Sequence, residues 1–225
     1  MSAASHPSPL SLPPFITFEG PEGGGKSTQV RAAAAALTAA GIAVTATREP
    51  GGTAIGEQIR GVLLQPENRA MLAETETLLL LAARAQHAAE VIGPALARGE
   101  VVLCDRFAGA TYAYQGYGRG LNLALLRQLQ EFAVGALAPD LTLLYDLPVE
   151  TGLARRHAAG EVNRLDAAGV DFHQRVRAGY LELAAADPAR WAVLDATQSL
   201  AAVTARTLAI VGERLGVTLT AAQTL

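Results

Sequence analysis

The stretch FITFEGPEGGGKST, residues 15–28, joins a short apolar run to a glycine-rich loop that ends in one lysine and two hydroxyls. FITFE is typical of a β-strand, and the Ala-rich segment after the loop predicts a helix that ends near Gly41. Glycines let a loop turn sharply and point successive N–H groups at one anion, and the positive end of the next helix adds to that field. Lys26 is the only lysine among 18 basic residues, and its compact charge suits the outer phosphates of a nucleotide better than a guanidinium. The stretch therefore predicts a phosphate-binding loop.

The spacing within this loop follows a known pattern. Gly20, four further residues and then Gly25-Lys26-Ser27 satisfy the P-loop pattern G-x-x-x-x-G-K-[ST]. At average residue usage such a match arises by chance about once per hundred chains of this length, and here the strand, the helix and the sole lysine agree with it. We expect Ser27 to supply a hydroxyl ligand to Mg²⁺. The predicted ATP-binding residues are Gly20, Pro21, Glu22, Gly23, Gly24, Gly25, Lys26, Ser27 and Thr28.

Four further apolar runs predict strands, and helical segments alternate with them. The predicted strands are residues 42–47, 100–105, 140–147 and 191–195, and the predicted helices include residues 54–64, 73–97 and 199–215. Alternating strands and helices indicate a parallel sheet with right-handed crossovers. We therefore predict an α/β fold of the P-loop NTPase type. It is a three-layer sandwich with a five-stranded parallel sheet, helices on both faces and a short lid.

Polar motifs follow three of these strands. The glycine-rich loop follows the first strand, REPGG follows the second and DRF follows the third. In a parallel sheet all three carboxyl ends lie at one edge, which is where open α/β folds bind ligands. The sequence therefore predicts one cleft at which the three motifs meet.

Composition excludes several classes of protein. A net charge of −3 argues against a nucleic-acid polymer as partner, because such binding needs a basic surface. The single Cys104 cannot form an internal disulfide, which fits a reducing cytoplasm, and its apolar surroundings predict a buried thiol. The four histidines show no metal-ligand spacing, and no run is long enough for a membrane span. We expect a soluble cytoplasmic protein.

Three classes of P-loop protein then compete. A GTP switch needs an Asn-Lys-x-Asp motif, which is impossible in a chain whose one lysine is Lys26. A remodelling ATPase needs coupling elements that the sequence does not show. A small-molecule kinase needs a second anion site built from arginines, and Arg48 and Arg106 follow the second and third strands. The kinase class fits best.

The motifs FEGPEGGGKSTQ, TREPGGTAIGEQIR, DRF with YQGYGRG, and PDLTLLYDL resemble, in order and spacing, those of the bacterial thymidylate kinase family. The resemblance runs from about residue 15 to 215. It implies transfer of the γ-phosphoryl group of ATP to dTMP with Mg²⁺, in a homodimer. It also implies one kinase domain over 15–215 with a lid at about 155–169, followed by a tail over 216–225. Residues 1–14, which are rich in Ser and Pro, are expected to be a disordered extension.

The resemblance assigns roles at the acceptor phosphate. Arg48 matches the arginine that grips the 5′-phosphate of the acceptor, and Arg106 matches the arginine that bridges this phosphate and the transferred group. Asp105 is expected to act through Mg²⁺ or its waters, or else to hold Arg106. Glu22 matches a carboxylate that accepts a hydrogen bond from the 3′-hydroxyl of the sugar.

The resemblance also assigns the base site. Arg84 matches the arginine that donates to the thymine O4 carbonyl, and a fixed donor there would reject the amino group of cytosine. The alternative is that Arg84 only satisfies a helix carbonyl or a carboxylate such as Glu76. Leu80 stands where the family commonly stacks a phenylalanine, so apolar cover without a π face is expected. The remaining predicted dTMP-binding residues line the base and sugar; they are Thr111, Tyr114 and Gln115.

The lid segment differs from its relatives. The P-loop has Gly23 where some relatives have an arginine. Relatives with a glycine there usually have an arginine directly before the lid glycine, whereas this chain has Ala159. The candidate catalytic arginines of the lid are Arg155, Arg156 and Arg164, which join Lys26, Arg48 and Arg106. The almost wholly apolar helix 73–97 is either the core of a monomer or a dimer face. A kinase for another nucleoside monophosphate and a non-catalytic nucleotide switch stay open as alternatives.

Overall fold

A parallel sheet forms the centre of the fold. The computed structural model describes residues 13–160, 164 and 168–221. Within these ranges there is one sheet of five parallel strands in the order β2-β3-β1-β4-β5. The strands are β1 Phe15–Glu19, β2 Val44–Arg48, β3 Val101–Asp105, β4 Leu141–Asp146 and β5 Trp191–Asp195. The predicted α/β class and its five-stranded parallel sheet are confirmed.

Helices connect the strands across both faces of the sheet. Those of the described residues are α1 Lys26–Ala39, α2 Ala54–Leu64, α3 Ala73–His87, α4 Gly93–Ala97, α5 Ala108–Thr111, α6 Leu123–Val134, α7 Val149–Ala158, α8 Val170–Ala186 and α9 Leu200–Leu215. Two π-helical segments, Ala88–Ile92 and Tyr112–Gly118, continue α3 and α5. The predicted helix 73–97 is thus one helical run. Its π turn lies directly before Pro94, which has no N–H to close the usual bond to residue i−4.

The side chains of β1 point alternately to the two faces of the sheet, and helices cover both faces. All five of its side chains are buried, and successive side chains of a strand point to opposite faces. Ile16 and Phe18 join a core with side chains of α1 and α9. Phe15 joins a second cluster with Ile92 and Ala95 on the opposite face. The apolar side chains of the central strand therefore lie on both of its faces, as expected for a sheet that is buried on both sides.

The strand ends bring the polar motifs together. β1 pairs with β3 so that Phe18 lies opposite Asp105, and β2 pairs with β3 so that Arg48 also lies opposite Asp105. The Thr53 side chain accepts a hydrogen bond from the N–H of Gly56 and so caps the N-terminus of α2. The glycine-rich loop, REPGG and DRF thus leave the sheet at one edge, as predicted.

The ends of the domain can be followed only in part. Residues 1–12 and 222–225, and six residues of the predicted lid (161–163 and 165–167), lie outside the described residues. Pro14, in the predicted extension, is buried and accepts a hydrogen bond from the N–H of Val102. Leu219, in the predicted tail, is buried within the α1–α9 core. The packed domain therefore extends slightly beyond residues 15–215 at both ends.

The described residues contain neither a candidate membrane span nor a candidate metal-ion cluster. None of their helices has the length and apolar character needed to cross a membrane. Over the same ranges, histidine, cysteine, aspartate and glutamate residues do not come together in groups of three or more that would hold a metal ion. Cys104 is fully buried, as predicted, and its thiol donates to the Arg106 carbonyl at 3.0 Å.

Candidate active site

A cavity of about 660 Å³ lies in front of the carboxyl ends of the strands. It brings together most of the residues that the sequence predicts for the site. Those lining it are Glu22, Gly23, Gly25, Lys26, Ser27, Thr28, Arg48, Leu80, Arg84, Asp105, Arg106, Thr111, Tyr114, Gln115, Arg155 and Arg156. Gly20, Pro21 and Gly24 lie within the same loop, and Arg164 is not part of the lining. The phosphate-binding loop and the arginines after β2 and β3 therefore face one space.

The glycine-rich loop has the backbone that its sequence predicts. Gly23 has φ +71° and Gly25 has φ +82°, which side-chain-bearing residues rarely adopt. A Cβ on Gly23 would also overlap the carbonyl of Gly152 in α7. α1 begins at Lys26 without a side-chain cap, so its first N–H groups are available to an anion.

Lys26 is buried against the loop that precedes it. Its Nζ donates to the carbonyls of Pro21 at 2.7 Å and Gly20 at 3.1 Å. Burial lowers the pKa of Lys26 to about 8, the positive charge of Arg106 adds to this, and Glu22 and Asp105 oppose it. At neutral pH the side chain is still mostly protonated, so the loop holds a cation at the start of α1.

Ser27 and Asp105 meet at the loop side of the cavity. The Ser27 hydroxyl donates to the Asp105 carboxylate, and both residues line the cavity. A hydroxyl and a carboxylate are the hard oxygen ligands that Mg²⁺ prefers, with phosphate oxygens and waters completing its shell. The predicted pair fits a magnesium ion shared with a nucleotide.

Arg106 occupies the centre of the cavity wall. Its NH2 group donates to Glu22 Oε1 at 2.6 Å and to the Tyr114 hydroxyl at 3.1 Å, and its NH1 group donates to Gly20 and Tyr180. Its backbone has φ +71°, which no other non-glycine residue of the described ranges shows. Such strain is concentrated at functional sites where surrounding contacts enforce it.

Glu22 is ionised by its neighbours. Burial alone would raise its pKa, but Arg106 and Lys26 outweigh burial and lower the pKa of Glu22 to about 2. Its Oε1 also accepts the Tyr114 hydroxyl at 2.9 Å, and its Oε2 lies 3.9 Å from Arg156 Nε. The carboxylate inside the loop is therefore surrounded by donors.

Glu19 is a site residue that the sequence reasoning missed. It is fully buried at the end of β1 and accepts hydrogen bonds from the N–H groups of Phe107 and Ala110 and from the Tyr180 hydroxyl, at 2.8, 3.1 and 2.9 Å. Burial raises its pKa to about 7, although Arg106 opposes the shift. Glu19 thus fixes the turn that contains Arg106. The available signal was a carboxylate at the end of an otherwise apolar strand.

Arg48 faces the cavity from the edge of the sheet. It donates to both carboxylate oxygens of Glu57, at 2.9 and 3.0 Å, and about half of its side chain is exposed. Glu57 also accepts the N–H of Gly52 at 2.9 Å. Arg48 is thus aimed by the first turn of α2, in a cavity that Arg106 and Ser27 also line.

Arg84 and Leu80 line the end of the cavity formed by α3. Arg84 is 2% exposed and pairs with Glu49 at 2.7 Å rather than with Glu76. Glu76 instead accepts from Gln115, Arg119 and Arg164. The carboxylate proposed as the alternative partner of Arg84 therefore belongs to a different cluster.

Two buried acceptors near Arg84 have no partner among the described residues. They are Thr111 Oγ1 and Gln115 Oε1, and both residues are 1% exposed and line the cavity. Buried polar atoms are nearly always paired in native proteins. A polar ligand in this part of the cavity would satisfy both atoms.

The lid arginines divide into two groups. Arg155 donates to the carbonyls of Ala196 at 2.8 Å and Gly23 at 3.3 Å, and both Arg155 and Arg156 line the cavity. Arg164 is buried elsewhere, where it donates to the Leu63 carbonyl at 2.9 Å and to Glu76. The structure therefore brings Arg155 and Arg156 to the cavity but not Arg164.

A phosphate-binding loop that faces a second set of arginines across one cavity defines a P-loop kinase of small phosphorylated acceptors. A family profile described as Thymidylate kinase matches residues 18–207. The chain belongs to the thymidylate kinase family.

Similar proteins agree with this assignment. A thymidylate kinase of Pseudomonas savastanoi pv. phaseolicola is 59% identical over 191 residues, 85% of this chain and 91% of that protein. One from Pseudomonas syringae pv. syringae is 58% identical with the same coverage. A crystal structure of thymidylate kinase from Ehrlichia chaffeensis matches with a TM-score of 0.70 and 32% identity, over 88% of this chain and 97% of that one.

Proposed function

We propose that this protein transfers the γ-phosphoryl group of ATP to the 5′-phosphate of dTMP, giving ADP and dTDP, as its family membership implies. The observation that carries the proposal is that Lys26, Arg48 and Arg106 line one cavity. Lys26 and Arg106 both donate to the Gly20 carbonyl, at 3.1 and 3.2 Å, and Arg48 lies at the end of β2. Phosphoryl transfer leaves little covalent work to the protein, so the enzyme acts by positioning both substrates and neutralising charge.

The donor triphosphate binds at the glycine-rich loop. The N–H groups of residues 22–27, which include the start of α1, surround its outer phosphates, and Lys26 leaves its loop carbonyls to contact them. Ser27 and Asp105 would hold Mg²⁺, which when bound neutralises charge on the phosphates. Asp105 also fixes the Ser27 hydroxyl in position.

The acceptor phosphate binds between Arg48 and Arg106. Planar guanidinium groups bind phosphate oxygens in pairs, and Arg106 lies where it reaches both the acceptor phosphate and the transferred group. Glu22 keeps Arg106 oriented and accepts the 3′-hydroxyl of the sugar through its second oxygen. The Tyr114 ring packs under the sugar and leaves no room for a 2′-hydroxyl.

The base binds against α3 and the π-helical segment after α5. Arg84 donates to O4 of thymine, and Leu80 covers the ring. Thr111 and Gln115 supply the two unpartnered oxygens described above. We assign contact with the transferred phosphoryl group to Arg155 and Arg156, because Arg164 lies outside the cavity lining.

The chain also has a surface suited to self-association. Large apolar side chains are exposed on α2, α3 and α6; they are Ile55, Leu78, Leu125 and Phe132, at 50, 59, 52 and 92% exposure. α3 packs against both α2 and α6, so these side chains belong to neighbouring helices. We assign this face to a homodimer, and we assign the protein to the cytoplasm, where its free Cys104 stays reduced.

The function is tested by measuring ADP release from ATP and Mg²⁺ with a panel of nucleoside monophosphates. We expect turnover with dTMP to exceed that with dCMP, dGMP and AMP. Fast turnover with another monophosphate would reassign the acceptor. ATP binding without turnover on any monophosphate would indicate a nucleotide switch instead.

A further inference from the structure

Three parts of the fold hold the Arg84 guanidinium at the same time. Its Nε donates to Glu49, in the loop after β2, at 2.7 Å, and its NH1 donates to Gln130 of α6 at 2.7 Å. Its NH2 donates to the Phe107 carbonyl, in the loop after β3, at 3.0 Å. Within the described part of the chain these bonds use three of the five N–H groups. Two remain for a ligand in the cavity that Arg84 lines.

The carboxylate that holds Arg84 is itself held. His87 Nδ1 lies 3.0 Å from Glu49 Oε1, and His87 Nε2 lies 2.7 Å from Thr47 Oγ1. A carboxylate oxygen accepts hydrogen bonds, so His87 Nδ1 is the donor to Glu49, and the other ring nitrogen is hydrogen-bonded to the Thr47 hydroxyl. Thr47, His87 and Glu49 are thus joined by consecutive hydrogen bonds, and Arg84 donates to the same carboxylate. We call these residues the Glu49 chain.

Burial makes this arrangement rigid. His87 is 0% exposed, Arg84 2% and Glu49 4% in their side chains. Gly52, at φ +81°, lies so close that an added Cβ would be 2.7 Å from His87 Cδ2. The TREPGGT stretch therefore supplies Thr47, Glu49 and the glycine that covers His87, while α3 supplies His87 and Arg84 three residues apart on one face.

Stability alone does not require the Glu49 chain. Replacing a buried ion pair by apolar side chains of similar volume is often neutral or stabilising. What the Glu49 chain does provide is an Arg84 guanidinium that cannot turn away from the cavity. A donor held in this way discriminates strongly, because a ligand that presents another donor leaves buried N–H groups unpaired.

We propose that Glu49 and His87 are positioning residues for base selection: they hold Arg84 so that its remaining N–H groups donate to a carbonyl at position 4 of the pyrimidine and oppose an amino group there. The proposal rests on the assignment of Arg84 to the base under the proposed function. His87 does not line the cavity, and Glu49, which lines it beside Arg84, is assigned to hold Arg84 rather than to bind the substrate. Their effect is expected on the choice between dTMP and dCMP rather than on phosphoryl transfer itself.

The test compares kcat/KM for dTMP and dCMP at saturating ATP in the full-length protein. Glu49→Gln keeps the shape but removes the negative charge, so the charge-assisted hydrogen bond from Arg84 becomes a weaker neutral one and an NH2 group replaces one of the two acceptor oxygens. His87→Leu removes the donor to Glu49, and His87→Asn restores it. We expect the ratio of kcat/KM for dTMP to that for dCMP to fall at least about 10-fold in Glu49→Gln and His87→Leu, and to recover in His87→Asn. For dTMP the loss should come mainly from a higher KM, while kcat should stay within about threefold of the wild-type value.

Two further variants separate the possible outcomes. Thr142→Val removes a buried hydrogen bond to Thr17 within the sheet; it should reduce stability and leave the ratio unchanged. Arg84→Met should abolish the preference for dTMP. If it does so while Glu49→Gln and His87→Leu keep the wild-type ratio, Arg84 needs no positioning and the proposal is wrong. If Arg84→Met itself keeps that ratio, the base assignment fails and the proposal with it. Should Glu49→Gln not fold, the two His87 variants decide.

Discussion

At the scale of single residues, the site holds two buried carboxyl groups near the Arg106 guanidinium, and their pKa values are shifted in opposite directions. Glu19, held by backbone N–H groups and Tyr180, has a pKa raised to about 7. Glu22, which accepts directly from Arg106 at 2.6 Å, has a pKa lowered to about 2. Environments that push paired pKa values apart assign different roles to the two groups. Glu22 is the ionised partner of Arg106, and Glu19 shapes the turn beneath it.

Glu19 should therefore make the protein less stable as the pH rises. Its folded pKa lies above the value of 4.5 for an unperturbed glutamate, so between pH 4.5 and 7 the native state binds more protons than the unfolded state. The free energy of unfolding then falls with increasing pH, by up to about 3 kcal/mol at 1.36 kcal/mol per pKa unit. Urea unfolding of the ligand-free protein at pH 5 and pH 8 measures this loss.

Glu19→Gln is the matching variant, because it keeps the shape without the ionisation. It should flatten the pH dependence between pH 5 and 8. The contribution of Glu22 does not interfere: its lowered pKa makes a stabilising contribution that is lost only as the pH falls below about 4.5 toward 2. An unchanged slope in Glu19→Gln would show that another group titrates in this window.

Lys26 should not tolerate replacement by arginine. Its Nζ fits between two loop carbonyls at 2.7 and 3.1 Å, where a larger planar guanidinium would displace the loop. We expect Lys26→Arg to lower kcat/KM for ATP at least about 100-fold. The opposite swap at an exposed position, Arg69→Lys, is the control and should leave turnover unchanged. Activity of Lys26→Arg within threefold of wild type would contradict the role assigned to the lysine.

At the scale of secondary-structure elements, α7 lies directly on the backbone of the phosphate-binding loop. A Cβ on Gly152 of α7 would overlap the Glu22 carbonyl, and a Cβ on Gly23 would overlap the Gly152 carbonyl. Since α7 also contains Arg155 and Arg156, this glycine contact sets how far the two arginines lie from the loop.

Two helical glycines should consequently respond in opposite directions to alanine. Gly61 of α2 has no atom within 4 Å of an added Cβ, so Gly61→Ala should raise the free energy of unfolding by about 0.5–1 kcal/mol. Gly152→Ala should lower it by about 1–3 kcal/mol through overpacking, and should lower kcat at least about 10-fold because the loop shifts. Urea unfolding and steady-state kinetics of both variants measure this; two stabilising substitutions would show that α7 is not confined by the loop.

The same elements show what the sequence could predict. β1, β5 and α2 agree with the predicted bounds, because short apolar runs and a capping threonine are local signals. α6, α7 and α8 were not predicted. Their side chains mix charged and apolar types, and their buried faces are defined by tertiary packing. Family resemblance located the candidate site, and its residues stay predictions until they are tested.

The supporting residues of the site could not be predicted in the same way. Glu19 contacts Tyr180 across 161 positions, and His87 contacts Thr47 across 40. A sequence shows which side chains can form hydrogen bonds but not which of them meet when the sheet closes. Glu49 was quoted within a motif, yet its partners became known only from the fold.

At the scale of the whole molecule, cations are concentrated in one cavity of an acidic protein. The net charge is −3, yet Lys26, Arg48, Arg84 and Arg106 line the same space. One lysine and seven arginines line this cavity against three carboxylates, those of Glu22, Glu49 and Asp105, and a cleft with such an excess of positive charge within low-dielectric walls focuses its field on anionic ligands. The acidic remainder of the surface discourages longer anionic polymers, so the charge distribution favours mononucleotides.

The exposed apolar face of α2, α3 and α6 gives the last prediction. Phe132 of α6 is 92% exposed, and large exposed patches on soluble proteins mark interaction sites. A self-complementary contact between equal faces would bury Phe132 twice, once from each subunit. We therefore expect a mass of two chains in sedimentation equilibrium, and of one chain in Phe132→Glu. Leu200→Glu, an equally drastic change at a 61% exposed leucine of α9, should keep the dimer, because α9 packs against β5 and α1 and lies on another side of the sheet. A wild-type protein that sediments as a single chain at micromolar concentration would instead assign this face to another partner.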